Sequence, residues 1–359
     1  MRYIDEYRRK DLVKILLKEI HRISRKRVAF MEVCGGHTMA IQKFGIPDLL
    51  PPTITLKSGP GCPVCVSARG FIDTAIALSH NPEVIITTYG DLIRVPGSKT
   101  NLDQVKAAGN QVKIVYSVLE AIQFAIHHPQ KKIIFLGIGF ETTAPATAAA
   151  ILQAARHNLK NFYLLSAHKV MPPAMTALMD ESVAITGFLC PGHVSTITGT
   201  SMYQPLVDNY GTPCVVAGFE PVDILQSILM LVHQVESNQP KIEIQYTRAV
   251  KAEGNKKAKN MLDEVFDLQP DWWRGLGVID KSGLKLNDRY KYFAAEEHFE
   301  VKIEASKDPA NCICGEVLKG VRKPHQCQLF DQGCHPGNPV GACMVSHEGA
   351  CNAYFRYNR

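Results

Sequence analysis

The sequence predicts an α/β protein with two related α/β domains built on parallel sheets, followed by a cysteine-rich C-terminal domain. Two series of short apolar segments alternate with helix-length segments, which is typical of βα units in a parallel sheet. The two series have similar length and order, and near residue 240 the chain becomes charged and then rich in cysteine. These observations predict domains at residues 27–122 and 123–238, and a third domain that joins residues 239–359 to an N-terminal helix at residues 1–26.

Apolar segments locate eight strands along the two series. The first series places strands at residues 28–33, 53–56, 84–88 and 112–116, and the second at residues 132–138, 161–166, 184–189 and 214–217. Helix-length segments lie between them, at residues 68–78, 145–156, 172–180 and 222–235. Residues 1–26 have apolar side chains at helical spacing, which predicts an amphipathic helix that packs against another part of the fold.

Composition limits the classes of function. The 359 residues carry a net charge of +6 that is spread along the chain, without a basic stripe interleaved with aromatic residues, so we predict no nucleic-acid surface. The charged N-terminus and the absence of a long apolar run predict a cytoplasmic protein with no membrane contact. In a reducing compartment, 11 cysteines favour metal ligation or thiol chemistry over structural disulfides.

The first predicted strand is followed by Cys34 and then by Gly35, Gly36, His37 and Thr38. An open α/β sheet places its ligands beyond the carboxyl ends of its strands, and a helix that begins after the glycines would favour a thiolate. The glycines leave backbone N–H groups uncovered, and a protonated His37 would favour the thiolate further. We therefore predict a reactive Cys34; the alternative is a small buried apolar residue beside a tight turn.

A second thiol site follows the next predicted strand, where Gly59-Pro60-Gly61 presents Cys62 and Cys65. The spacing of two intervening residues is typical of a redox dithiol or half of a metal site. A zinc ribbon would need a second such pair nearby, and the sequence has none there. We predict a dithiol that cycles to a disulfide or joins Cys34 around a soft metal.

The second series of strands ends in polar residues. Glu141, His168, Lys169 and His193 each follow a predicted strand, and together they predict the polar rim of a binding cleft. Taken singly, His168 also fits a satisfied core residue. No Walker loop or dinucleotide-binding glycine motif is present, so we infer no nucleotide site.

The C-terminal region carries six cysteines among glycine and proline residues. They are Cys312, Cys314, Cys327, Cys334, Cys343 and Cys351. Packing does not explain six thiols in a segment with few apolar residues, so the pattern predicts a metal centre. An iron–sulfur cluster needs four thiolates, and zinc bound by four cysteines is the alternative. Two cysteines then remain, and they are able to form a redox pair.

The chain resembles the HypD family of hydrogenase maturation factors over nearly its whole length. Besides the C-terminal cysteines, the resemblance rests on four motifs: Cys34-Gly35-Gly36-His37-Thr38, Gly59-Pro60-Gly61-Cys62-Pro63-Val64-Cys65, Gly139-Phe140-Glu141-Thr142-Thr143-Ala144-Pro145 and Pro191-Gly192-His193-Val194-Ser195. It implies three domains, with a [4Fe–4S] cluster in the third. It also implies a scaffold for the Fe(CN)₂CO group of [NiFe]-hydrogenase, a small HypC-type chaperone partner, and cyanide delivered by a HypE-type protein.

The resemblance also implies roles for individual residues. Cys34 matches the family's iron-site cysteine, and Cys62 and Cys65 match its dithiol. Soft low-spin iron takes thiolates readily, and Gly35, Gly36 and His37 would supply hydrogen-bond donors for cyanide. Gly35, Gly36 and Thr38 are the residues expected to bind the iron cofactor.

A likeness to ferredoxin:thioredoxin reductase implies how the six C-terminal cysteines divide. The cluster ligands would be Cys312, Cys327, Cys334 and Cys351, and the redox pair would be Cys314 with Cys343. The sequence leaves open whether Cys343 or Cys351 is the fourth ligand.

Two functions follow from these patterns. The first is a scaffold with thiol redox activity that holds iron, as transient Fe(CN)₂CO, while its ligands are attached. The alternative is an iron–sulfur-dependent reductase in which Cys62 and Cys65 act on a protein disulfide. The second leaves Cys34 without a role, so we favour the first.

Overall fold

The computed structural model describes residues 4–181, 183–304, 306 and 308–358, and it is an α/β fold with two parallel sheets. The strands are β1 Val28–Glu32, β2 Ile54–Ser58, β3 Val84–Thr88, β4 Val112–Ile114, β5 Lys132–Gly139, β6 Phe162–His168, β7 Gly187–Pro191, β8 Cys214–Ala217, β9 Ile242–Ile244, β10 Phe266–Trp273 and β11 Gly277–Leu286. All eight predicted strands are therefore present.

The α-helices surround these strands. They are α1 Lys10–Ile23, α2 Gly35–Lys43, α3 Ile46–Leu49, α4 Pro63–Val66, α5 Arg69–Ser79, α6 Leu102–Ala107, α7 Val118–His127, α8 Ala144–Arg156, α9 Met171–Asp180, α10 Gly192–Thr198, α11 Gln204–Tyr210, α12 Pro221–Ser237, α13 Lys256–Val265, α14 Cys314–Leu318 and α15 Ala350–Tyr357. Short 3₁₀ turns include residues 90–94 after β3 and residues 342–344 in the cysteine-rich segment.

The two sheets do not follow the predicted domains. One sheet has the order β2-β1-β7-β8-β9 and the other has the order β4-β3-β5-β6. Both predicted domains therefore contribute strands to the second sheet, and the predicted boundary between residues 122 and 123 separates β4 from β5, which belong to that sheet. Apolar periodicity identifies strands but not their partners, because a crossover of any length can bring β1 beside β7.

The N-terminal helix packs against α12, on the first sheet. Ile20 is fully buried in this contact, and the Glu236 carboxylate accepts hydrogen bonds from the backbone N–H groups of Arg25 and Lys26 at 2.7 and 2.8 Å. The prediction that this helix joins the cysteine-rich domain is therefore wrong. An amphipathic pattern shows that a helix has an apolar face but not which surface covers it. Residues 1–3 and 359, at the ends of that predicted domain, lie outside the described residues.

Residues after 239 pack on both sheets and on their helices. Strand β9 extends the first sheet, and the antiparallel β10–β11 hairpin packs on β6 of the second sheet. The cysteine-rich segment packs on α2 through α15 and on α4 through the 3₁₀ turn at residues 342–344. The C-terminal cysteines are thus carried next to the helices that begin at the other two thiol sites. Within the described part of the chain, no helix has the length and apolar character needed to cross a membrane.

Candidate functional site

Cys34 lies between β1 and α2, at the N-cap of the helix, as the sequence predicts. Its side chain is buried, and the backbone N–H groups of Gly36 and His37 hydrogen-bond its sulfur. Both N–H groups come from the same turn, because the start of a helix directs its free N–H groups at the preceding residue. The sulfur therefore has two backbone hydrogen-bond donors directed at it.

The predicted free thiolate is not what this site favours without a metal. Burial raises the pKa of Cys34 well above its usual range, and the carboxylates of Glu348 and Glu32 raise it further, against the two backbone hydrogen bonds. The N–H groups alone do not offset the cost of placing a charge in a buried site. Cys34 is therefore a neutral thiol that loses its proton when a cation binds the sulfur.

His37 does not play its predicted electrostatic role. Its Nε2 lies 3.0 Å from the Gly218 carbonyl oxygen and 3.2 Å from that of Ala217, so Nε2 carries the proton and donates it. Burial, with a smaller effect of His193, lowers the pKa of His37 to about 4. The prediction of a protonated His37 beside the thiolate is therefore wrong. The ring instead fastens α2 to the end of β8.

His193 is the histidine that faces the sulfur. Both of its ring nitrogens lie 3.8 Å from Cys34 Sγ, and burial lowers its pKa. The Phe219 ring stacks on His193 and His37, with centroid separations of 5.2 and 4.8 Å. The sequence indicates His193 only as part of a polar rim, because its contact with Cys34 depends on the pairing of β1 with β7.

Glu32, at the end of β1, organises the backbone around Cys34. Its carboxyl group accepts hydrogen bonds from the Cys34 backbone N–H at 3.1 Å and from the Thr38 hydroxyl. The Thr38 hydroxyl thus donates its hydrogen bond to Glu32. The Gly35 N–H donates to the Gly61 carbonyl at 3.1 Å. Of the predicted ligand-binding backbone groups, Gly36 N–H is the one directed at the sulfur.

Replacing Glu32 with glutamine is expected to flatten the pH dependence of stability. Burial raises the pKa of Glu32 from 4.5 to about 8, so the folded protein holds a proton that the unfolded chain releases. The resulting stabilisation is complete below the unfolded pKa of 4.5 and is lost as the pH rises through about 8. Urea unfolding at a series of pH values would show the wild type losing stability relative to Glu32→Gln across this interval. Parallel profiles for the two proteins would contradict the assignment.

The second thiol site touches the first. Cys62 and Cys65 are joined in a disulfide at the start of α4, which is the oxidised form of the predicted dithiol. The loop before them lies so close to Cys34 that a Cβ placed on Gly61 would be 2.2 Å from the Cys34 backbone nitrogen. Glycine at this position is therefore a requirement of the contact between the two loops.

Gly61→Ala is expected to reduce stability by about 2 kcal/mol or more, the range of overpacked buried positions, and to displace Cys34. Gly90→Ala is the matched control, because a Cβ there would meet its nearest neighbour, Ile114 Cγ2, at 3.7 Å, an ordinary contact. Urea unfolding of the two variants checks the prediction. Equal stabilities would show that the loops have room to separate.

A cavity of about 670 Å³ opens beside both thiol sites. Its walls come from the segments that follow β2, β3, β5 and β7, so it lies between the carboxyl ends of the two sheets, where an open α/β fold binds ligands. Cys62, Tyr89, Asp91 and His193 line it, and Glu348 from the cysteine-rich segment closes one side.

Three members of the predicted polar rim lie elsewhere. His168 is buried with Nε2 2.9 Å from the Thr147 hydroxyl, and buried Lys169 forms an ion pair with Asp271 on the hairpin. Glu141 accepts the Met171 N–H, and burial raises its pKa to about 7. The rim prediction is right for His193 alone, because the strands turn the other three side chains into the protein interior.

The six C-terminal cysteines line a single cavity. Leu329, Phe330 and Met344 complete its apolar walls. Four of the thiols lie in a row and shift one another's pKa, Cys312 with Cys314, Cys314 with Cys343, and Cys343 with Cys351. The structure thus places the predicted redox pair, Cys314 and Cys343, side by side.

The donor chemistry of this cavity fits a soft metal or an iron–sulfur cluster. The space between the thiols is about 10 Å³, so holding a cluster requires the sulfurs to separate. Across the described residues, no three His, Cys, Asp or Glu side chains already stand in an arrangement that holds a metal ion. The fit therefore rests on the identity and convergence of the six donors.

The two thiol regions are in contact. Cys65 Sγ lies 4.0 Å from the carbonyl oxygen of Ala342, the residue before Cys343. Arg274, on the hairpin turn, donates to the Cys65 carbonyl at 2.8 Å. Sequence reasoning missed Arg274 because an isolated arginine in a charged segment carries no signal of its contacts.

Comparisons with known proteins agree with the motifs. Residues 11–358 match the profile of a family described as HypD, hydrogenase formation hypA family. The chain is 44% identical to the hydrogenase maturation factor HypD2 of Bradyrhizobium diazoefficiens, over 100% of this chain and 97% of that protein. It is 43% identical to the hydrogenase maturation factor HypD of Cupriavidus necator, over 100% and 98% of the two chains. It is also 45% identical to a putative hydrogenase expression/formation protein of Methanocaldococcus jannaschii, over 97% and 98%.

Proposed function

The chain belongs to the HypD family of hydrogenase maturation factors, and from this premise we propose that Cys34 holds iron while cyanide and carbonyl ligands are attached to form Fe(CN)₂CO. The observation that carries the proposal is the placement of Cys34. Its sulfur receives two backbone N–H groups and faces His193, between the carboxyl ends of the two sheets.

Proton transfer is part of iron binding at this site. Since burial raises the pKa of Cys34, the thiol must release its proton when the iron–sulfur bond forms. The neutral His193 ring, 3.8 Å from the sulfur, is placed to accept that proton. The N–H groups of Gly36 and His37 then stabilise the thiolate that remains bound to iron.

The proposal includes two protein partners. A HypC-type chaperone would share the iron with Cys34, and a HypE-type protein would donate cyanide. The cavity of about 670 Å³ supports this, because it leaves room for a partner's thiol and the small ligands beside His193, the residue that faces the Cys34 sulfur.

Thiol redox chemistry would accompany assembly. Cys62 and Cys65 alternate between dithiol and the disulfide seen here. Cys312, Cys327, Cys334 and Cys351 would hold a [4Fe–4S] cluster, with Cys314 and Cys343 as the neighbouring pair. Such a cluster supplies single electrons when bound. The 4.0 Å contact between Cys65 Sγ and the carbonyl before Cys343 supports exchange between the two thiol regions.

Hydrogenase activity in a host that lacks its own family member tests the proposal. The wild-type gene is expected to restore activity, whereas a Cys34→Ser gene is expected to leave it at background. Full restoration by Cys34→Ser would contradict the role of this sulfur.

The Cys62–Cys65 disulfide favours one second candidate, a reductase that acts on a protein disulfide. A reductase needs this pair but not Cys34. Restoration of hydrogenase activity by Cys34→Ser, but not by Cys62→Ser, would favour the reductase over the scaffold.

A further inference from the structure

Arg274 closes the C-terminal end of the helix that carries the disulfide. Its Nε donates to the Cys65 carbonyl at 2.8 Å, its Nη2 to the Ser67 carbonyl at 2.9 Å, and its backbone N–H to the Val66 carbonyl at 2.9 Å. A helix of four residues leaves all its final carbonyls without helical partners, so one arginine supplies the donors that α4 lacks.

The turn that carries Arg274 is wedged between the two thiol regions. The backbone of Gly275 lies against Gly315 in α14, and a Cβ on Gly275 would be 2.4 Å from the Gly315 carbonyl oxygen. Arg274 therefore reaches α4 from a turn that is fixed on the helix beginning at Cys314. This contact sets the position of Cys65 relative to the cysteine-rich segment.

Arg274 also brings a positive charge into the protein interior. It is 5% exposed, and its one carboxylate partner among the described residues is Asp308. The disulfide on the same loop is neutral, and a thiolate formed when it opens would place negative charge on a buried sulfur. A nearby guanidinium stabilises the product of that reaction more than the reactant.

We propose that Arg274 is a positioning residue that fixes the Cys62–Cys65 loop and stabilises its reduced, anionic state. The biological use of this effect rests on the proposed function, but the effect itself does not. With dithiothreitol as the dithiol reductant, the protein S–S bond breaks and a cyclic dithiothreitol disulfide forms. Two electrons pass to Cys62 and Cys65. Of the two protons released by the reductant, one binds a protein sulfur and the other goes to solvent, which leaves one thiolate.

Anaerobic equilibration in mixtures of reduced and oxidised dithiothreitol tests the proposal. Alkylation of free thiols, followed by mass spectrometry of the peptide that contains both residues, gives the ratio of dithiol to disulfide. Arg274→Gln is expected to lower this ratio about tenfold, the effect of one pKa unit of charge interaction. Arg274→Lys, which keeps the charge but not the planar fork, is expected to lie between it and the wild type.

Asp308→Asn provides a test of opposite sign. Removal of this carboxylate leaves the Arg274 charge uncompensated, so the ratio is expected to rise above the wild-type value. Loss of packing alone would not move Arg274→Gln and Asp308→Asn in opposite directions. If Arg274→Gln does not fold, the dithiol-to-disulfide ratio of Asp308→Asn still tests the proposal.

Arg248→Gln is the matched control, because Arg248 is a part-buried arginine that pairs with Asp223 and, among the described residues, donates no hydrogen bond to the Cys62–Cys65 loop. It is expected to leave the ratio unchanged. Wild-type ratios in both Arg274→Gln and Asp308→Asn would overturn the proposal while leaving the proposed function intact. The measurement needs no iron, partner or hydrogenase. A failure of the proposed function would therefore leave the proposal for Arg274 valid.

Discussion

Cys34→Ala is expected to abolish retention of the proposed iron cyanide group by the complex of this chain with a HypC-type chaperone, the partner proposed above. Among the described cysteines, Cys34 is the one whose sulfur accepts the N–H groups of Gly36 and His37. Alanine at this position offers iron no ligand. Infrared spectra of the anaerobically purified complex should lose the cyanide and carbonyl bands. The absorption of a C-terminal cluster should remain, because its proposed ligands line a separate cavity.

Cys190→Ala is the control for this experiment. Cys190 is a fully buried cysteine in β7 whose sulfur lies 3.9 Å from the Phe188 carbonyl oxygen, so its loss tests the general effect of removing a buried thiol. The bands should persist in this variant. Undiminished bands in Cys34→Ala would contradict the iron-site assignment.

Cys327→Ser is expected to remove most of the iron and inorganic sulfide of the proposed C-terminal cluster, whereas Cys314→Ser is expected to retain them. Cys327 lies apart from the row of four thiols, with its sulfur 3.8 Å from the Asn311 carbonyl. Cys314 lies beside Cys343, its proposed disulfide partner. Iron and sulfide analysis, together with the visible absorption of each variant, checks the difference.

Comparable losses from the two serine variants would contradict the division of the six cysteines. They would still be consistent with a cluster in the wild-type protein. Exchange of roles between Cys343 and Cys351, which are neighbours in the row of four thiols, would appear as loss of iron from Cys343→Ser and retention in Cys351→Ser.

The sequence was sufficient to predict the strands and the position of Cys34 at the end of one of them. An apolar segment followed by Cys34 and two glycines has few structural solutions, and a helix does follow, although it begins at Gly35 and includes both glycines instead of starting after them. The association of six C-terminal cysteines around one cavity also follows from composition, since a segment with so few apolar residues must organise around its thiols.

The contacts between distant segments could not be predicted. His193 reaches Cys34 because β1 pairs with β7, and Lys169 is buried because the β10–β11 hairpin brings Asp271 to it. His37 is neutral because the end of β8 covers it. Each depends on which strands become neighbours, and that is decided by packing of the whole chain rather than by the local pattern.

Mössbauer spectroscopy of the complex with the proposed HypC-type chaperone, purified from cells grown on iron-57, tests the proposed iron-holding role of Cys34 most directly. The account predicts two iron species, a cluster signal and a separate low-spin iron(II) signal, with the second absent from Cys34→Ala and present in Cys190→Ala. A low-spin iron(II) signal of equal intensity in Cys34→Ala would contradict it.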